Sequence, residues 1–168
     1  MNASTSFKDT ARPLRRILLG IAAFGVLGTL VELVLIGHNQ DAVQWLPFGL
    51  LGATGIGLVW VARASSPRAL RAFRVLMAVV TLSSLLGLYF HLRGNIAFEL
   101  ETDPALAGFA LLLKSVQGGT PVLAPGILAQ VGLLGLAFTY RHPNLVAARE
   151  LRTAQRAGGD ATAARRHT

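Results

Sequence analysis

The chain has 168 residues, 52% of them apolar and only 14% charged, with a mean hydropathy of +0.52. A soluble domain carries about a quarter of its residues charged, so this composition belongs to a membrane protein. The net charge of +8 would suit nucleic acid only if the basic residues formed a water-facing patch. They flank long apolar blocks instead, and nucleic acid is excluded as a partner.

Residues 1–16 form a basic N-terminus holding Lys8, Arg12, Arg15 and Arg16. The first span is predicted at 17–37. Its apolar run of about 20 residues exceeds the 7–15 of a signal-peptide core, and Glu32 interrupts it. An uncleaved first helix is therefore expected. The second span is predicted at 45–62, the third at 75–91 and the fourth at 122–140. Each approaches the length needed to cross a bilayer. Trp45, Trp60, Tyr89, Phe90 and Tyr140 mark boundaries where amphipathic rings favour the headgroup level. The tail, 143–168, is basic. A helix near the inner leaflet is expected over 144–156, and disorder over 158–168.

Orientation follows from the loops. Fourteen of the 16 basic residues lie before span one, between spans two and three, or after span four. The opposite face has only Arg93 and Lys114. The positive-inside rule then places both termini in the cytoplasm of a plasma (inner) membrane. The expected fold is an all-α membrane protein, a four-transmembrane-helix bundle in the lipid bilayer.

The outer segment, 92–121, carries a short helix between spans three and four. Gly94-Asn95 reads as a turn. The run Ile96–Glu101 reads as extended, with Glu99 and Glu101 on one side and Phe98 and Leu100 on the other. Asp103-Pro104 reads as the N-cap and first residue of a helix over 104–117. That helix is too short to span and is expected at the interface rather than re-entrant.

Helices in lipid meet through small and polar faces. Gly25, Gly28, Thr29 and Glu32 are expected to share one, as are Gly49, Gly52 and Ala53. Thr81, Ser84, Gly87 and His91 make a third, and Gly126, Ala129, Gln130 and Ala137 a fourth. All four faces should point into the bundle.

His91, Glu99 and Glu101 have no structural role in this reading. Glu32 is an intramembrane acid, a functional candidate by default. With His38, Asp41 and Arg93 as secondary members, they could converge on an outer pocket. Carboxylate and imidazole suit a divalent metal ion, and the same groups could relay protons. The absence of cysteine excludes disulfides and thiolate metal sites. No phosphate-binding loop, dinucleotide fingerprint or nucleophile elbow occurs. Haem between His38 and His91 is disfavoured, because both sit at the outer edge. The sequence thus favours a non-enzymatic subunit or accessory protein of a membrane complex, with a homo-oligomer or membrane-protein partner. The alternative is an outward-facing divalent-cation or proton site in a small transporter or metal-handling protein.

Overall fold

A computed structural model describes the backbone of residues 3–166 and the side chains of 11–157. The described residues form helices joined by loops, without strands. Helix α1 covers Ala3–Leu35. A single 3-10 turn at Ala42–Gln44 leads into α2, Trp45–Arg63. Then come α3 (Pro67–Thr102), α4 (Gly108–Val116), α5 (Gly126–Thr139) and α6 (Pro143–Arg166).

Local chemistry sets most of the ends. Helix α1 closes with Gly37 at φ 64, a left-handed conformation that costs glycine little. The Gly37 amide donates to the Val34 carbonyl at 3.1 Å and the His38 amide to Leu33 at 2.9 Å, the two bonds of a Schellman cap. At the start of α3, Ser66 Oγ accepts from the Ala69 amide at 3.2 Å and Pro67 occupies the first turn. Before α5, Pro121 to Pro125 winds in 3-10-type turns, with Ala124 N–H donating to Pro121 O at 3.1 Å and Gly126 N–H to Leu123 O at 2.9 Å. Helix α5 thus begins four residues after the predicted start of span four, with 14 residues over about 21 Å.

Three helical stretches, Ala11–Leu35, Ala42–Arg63 and Pro67–Thr102, are long and apolar enough to cross a membrane. Helix α3 packs on α5 and α2, and α1 packs on the same two helices, which closes a ring of contacts. The core between them is built from Ala22, Val26, Leu51, Leu58, Phe73, Met77, Val80, Val131 and Phe138. Glycines permit the closest approaches. A Cβ on Gly57 would lie 2.9 Å from Phe73, and one on Gly132 would lie 2.8 Å from the Met77 carbonyl. The outer surfaces of the same helices are apolar, with Phe24 79% and Ile56 74% exposed in the isolated chain. A surface this apolar is suited to lipid or to other protein.

Several expectations are corrected. Gly94-Asn95 does not turn the chain, because α3 continues through it to Thr102. At 36 residues this helix is about 54 Å long, well beyond a hydrocarbon core of about 30 Å. It stops at Asp103, where the following proline disfavours helical backbone. Asp103 closes α3 with extended backbone, and its Oδ1 accepts from Ala105 N–H at 3.1 Å. Helix α4 starts only at Gly108, behind Ala107, and has nine residues. Helix α6 continues to Arg166, past Gly158, where disorder was expected; His167 and Thr168 lie outside the described residues.

Candidate functional site

The outer site proposed from sequence is not assembled as expected. In a helix, Glu99 and Glu101 are about 200° apart, so α3 separates the two carboxylates that extended backbone would have aligned. Glu99 is partly exposed and Glu101 exposed, as are Arg93, Asp41 and Glu32. What does come together is a pair of histidines. The His38 and His91 rings lie 6.4 Å apart between centroids, His38 on the loop after α1 and His91 on α3. His91 Nδ1 is 2.9 Å from the Pro121 carbonyl and so carries the proton there. No group of three or more His, Asp or Glu positioned to hold a metal ion forms among the described residues.

The residue that organises the His91 end of the bundle is Asn95, where Gly-Asn predicts a turn. Asn95 is 4% exposed. Its Nδ2 donates to the Ser115 and Thr120 carbonyls, both at 2.8 Å, and its Oδ1 accepts from Thr120 N–H at 3.2 Å. The amide thereby folds the α4 hairpin back on α3. A Cβ on Gly118 would lie 2.8 Å from the Asn95 side chain, so glycine is needed beside it. A signal was available: His91, Asn95 and Glu99 recur every four residues, a helical period that competes with the turn propensity of Gly-Asn.

The small-residue faces divide. Gly25 meets Val131, and Thr29 is buried with its Oγ1 donating to Gly25 O at 2.7 Å. Ser84 is buried and Gly87 meets Pro125. Gly28, Gly49, Gly52 and Gly126 instead have nothing within 4 Å of a built Cβ. Glu32 and Gln130 are exposed beside them. The physical reason is that α1 and α5 each pack on only two other helices, so one small face packs inward while another is left outside. Gly57, Gly132 and Gly135, at the close approaches, were not singled out by spacing.

The opposite end, where α5 closes, is the more highly built. The last carbonyls of a helix lack partners within it, and on α5 they are met by two arginines. Arg15 donates to the Phe138 carbonyl and, at 3.1 and 3.3 Å, to those of Tyr140 and Arg141. Arg74 donates through Nε to Thr139 Oγ1 at 3.1 Å and through Nη2 to Thr139 O at 2.5 Å. Cations here also favour the negative end of the helix dipole. Asn144 Nδ2 ties the start of α6 to Ser65 O at 2.6 Å. The sequence marks Arg15 and Arg74 only as flanking charges; their position immediately before the predicted starts of spans one and three is the trace of this role.

His142 lies behind this corner, 9% exposed, its ring 5.6 Å from that of Phe138. Its Nδ1 faces Asn144 N–H at 3.3 Å and so accepts, which fits a neutral ring. Burial, and then the Arg15 charge, hold its pKa below the usual histidine value. Above about pH 6.5 the ring is neutral in both folded and unfolded chains, and its contribution is fully present. As pH falls below that, the unfolded chain takes up a proton that the folded one resists, so stability drops until the folded ring also titrates. Melting in detergent should therefore occur at lower temperature at pH 5.5 than at 7.5. His142→Gln should flatten that dependence, and an unchanged slope would assign it elsewhere.

Fold and site together define an all-helical protein with several apolar helices compatible with a membrane location and an arginine-capped corner at one end. No family model, curated protein or solved structure matches the chain.

Proposed function

We propose that this is a multi-pass protein of the plasma (inner) membrane with cytoplasmic termini. In this reading the spans near 17–37, 45–62, 75–91 and 122–140 form a four-helix bundle in the bilayer, and α4 lies at the outer interface. The chain acts as a non-enzymatic subunit or accessory protein of a membrane complex. The observation that carries this is Gln130. It stands within the apolar α5, exposed, on a face with Gly126, Leu133 and Ala137 that none of the chain's own helices covers. A primary amide in hydrocarbon lacks partners for two donors and an acceptor. Small residues beside it allow a partner backbone close approach. A second membrane-embedded chain, whether a copy of this one or another protein, supplies what lipid cannot.

The test is Gln130→Leu. Membrane crosslinking should show a higher-mass species for the wild type that weakens several-fold in the variant, with the melting temperature of the isolated chain retained. A wild-type protein that is monomeric and without partners in mild detergent would reject this reading.

A second reading keeps the outer end as a cation or proton site, and the His38–His91 pair is what favours it. Two imidazoles at that separation could share a divalent metal ion, with Glu32, Asp41, Glu99 and Glu101 as further donors after rearrangement. Elemental analysis of the wild type against His38→Ala/His91→Ala separates the two readings.

A further inference from the structure

The C-terminal end of α5 and the start of α6 enclose a cleft of about 1080 Å³. Arg74, Arg141 and Arg149 line it, with Glu150 as the one acid among the described residues. The remaining walls include Leu136, Tyr140, Leu145 and Val146. On α6, Leu145, Val146, Arg149 and Thr153 follow helical spacing and present one side to the cleft. Its chemistry is therefore divided, with an apolar floor and a cationic rim. Arg141 adds an independent observation. It has φ 45, a left-handed conformation that glycine or asparagine adopts more readily than arginine. Arg15 holds the carbonyls of 138, 140 and 141 around it, so the corner is braced to keep an arginine in an unfavourable backbone state. A backbone outlier held by surrounding bonds points to a functional position.

We propose that this cleft binds one anionic phospholipid of the cytoplasmic leaflet, its phosphate held by Arg141 and Arg149 and its proximal acyl chains on Leu136, Leu145 and Val146. Guanidinium forks match phosphate oxygens in pairs. The apolar floor distinguishes a lipid from a free phosphate, which would leave those side chains without a partner. The cleft opens where the apolar α5 ends, at the depth of lipid headgroups if that end faces the cytoplasm, so the inference rests on the orientation proposed above.

The full chain, purified in mild detergent, is titrated with phosphatidylglycerol or with phosphatidylcholine of the same acyl chains and read by native mass spectrometry. One phosphatidylglycerol should be retained, with at least tenfold lower occupancy by phosphatidylcholine. Arg141→Gln/Arg149→Gln should lower phosphatidylglycerol occupancy at least tenfold, and Arg149→Glu, on an exposed helix face, should do the same should the double variant fold poorly. Arg63→Gln/Arg68→Gln removes equal charge outside the cleft and should leave occupancy unchanged. Equal retention of the two lipids, equal loss in the Arg63/Arg68 variant, or displacement of phosphatidylglycerol by millimolar inorganic phosphate would overturn the proposal. Orientation is read separately, since the chain lacks cysteine. Ala64→Cys should resist a membrane-impermeant maleimide in intact cells. Labelling there would refute the cytoplasmic placement while leaving the detergent result on the cleft to stand or fall by itself.

Discussion

Gly132→Leu is expected to cost this protein its fold. Helices α3 and α5 form the most extensive helix contact among the described residues, and Gly132 faces the α3 backbone. A Cβ there would lie 2.8 Å from the Met77 carbonyl and 2.9 Å from the Thr81 amide nitrogen. Those are backbone atoms and cannot swing aside as a side-chain tip would, so the helices must separate. Separation would open the packing of Phe73, Met77, Val131 and Phe138. Overpacking a core costs about 1–3 kcal/mol where side chains can adjust, and more where they cannot. A loss above about 3 kcal/mol is a large share of a typical stability. Gly28→Leu is the matched control, because nothing lies within 4 Å of that position. Size-exclusion profiles and thermal melts in detergent should show Gly132→Leu aggregated or strongly destabilised and Gly28→Leu near wild type. A Gly132→Leu protein that melts with the wild type would refute the α3–α5 packing described here.

Asn95→Ala should release the outer hairpin. It removes three hydrogen bonds at once, leaving the Thr120 carbonyl and amide without these partners and the Ser115 carbonyl with only the 3.4 Å bond from Gly118 N–H. Orphaned polar groups cost about 1–3 kcal/mol, and a total near 3 kcal/mol is expected. Asn95→Asp is the sharper probe. It keeps shape and volume but replaces the donating NH2 with an oxygen, which would face two carbonyl acceptors at 2.8 Å. It should be as damaging as alanine or worse. Limited proteolysis should cut between residues 103 and 125 faster in both variants, with a lower melting temperature. If only Asn95→Ala were damaging, lost packing rather than lost donors would be the cause.

Glu99 and Glu101 illustrate why local signals and the built structure differ at the C-terminal end of α3. Alternating polarity over Ile96–Glu101 fits a strand, and Gly94-Asn95 fits a turn. Both are local signals of a few residues. The helix arriving from Pro67 already has more than 25 residues behind it, and extending it adds one backbone hydrogen bond for each residue ordered. Asn95 then gains tertiary partners that a turn would not have given it. Cooperativity and tertiary hydrogen bonding together outweigh local propensity. With the helix extended, the two carboxylates diverge and the expected acidic pocket loses its geometry.

The inner end shows the converse. Arg15 and Arg74 were legible as charges near a boundary, and their partners were not. Sixty-five residues separate Arg74 from Thr139, and 123 separate Arg15 from Phe138. Nothing local in the chain encodes such a pairing. It follows from α5 ending beside Arg15 of α1 and Arg74 of α3 once the core has closed.

By itself the sequence determined the all-helical class and the long apolar helices, whereas α4 and α5 each begin four residues later than the residues predict. Hydropathy, cap residues and prolines act over a few neighbouring residues, and such short-range terms can be read along the chain. Only the tertiary structure decided which small residues pack and which stand outside. It alone decided that α3 runs on to Thr102, that Asn95 is a clamp, and that two histidines rather than two carboxylates meet at the outer end. In an apolar helix nearly every face is compatible with burial, so the pattern carries little information about rotation. Close backbone approach and hydrogen bonds between distant residues choose among those rotations, and they exist only when the helices meet.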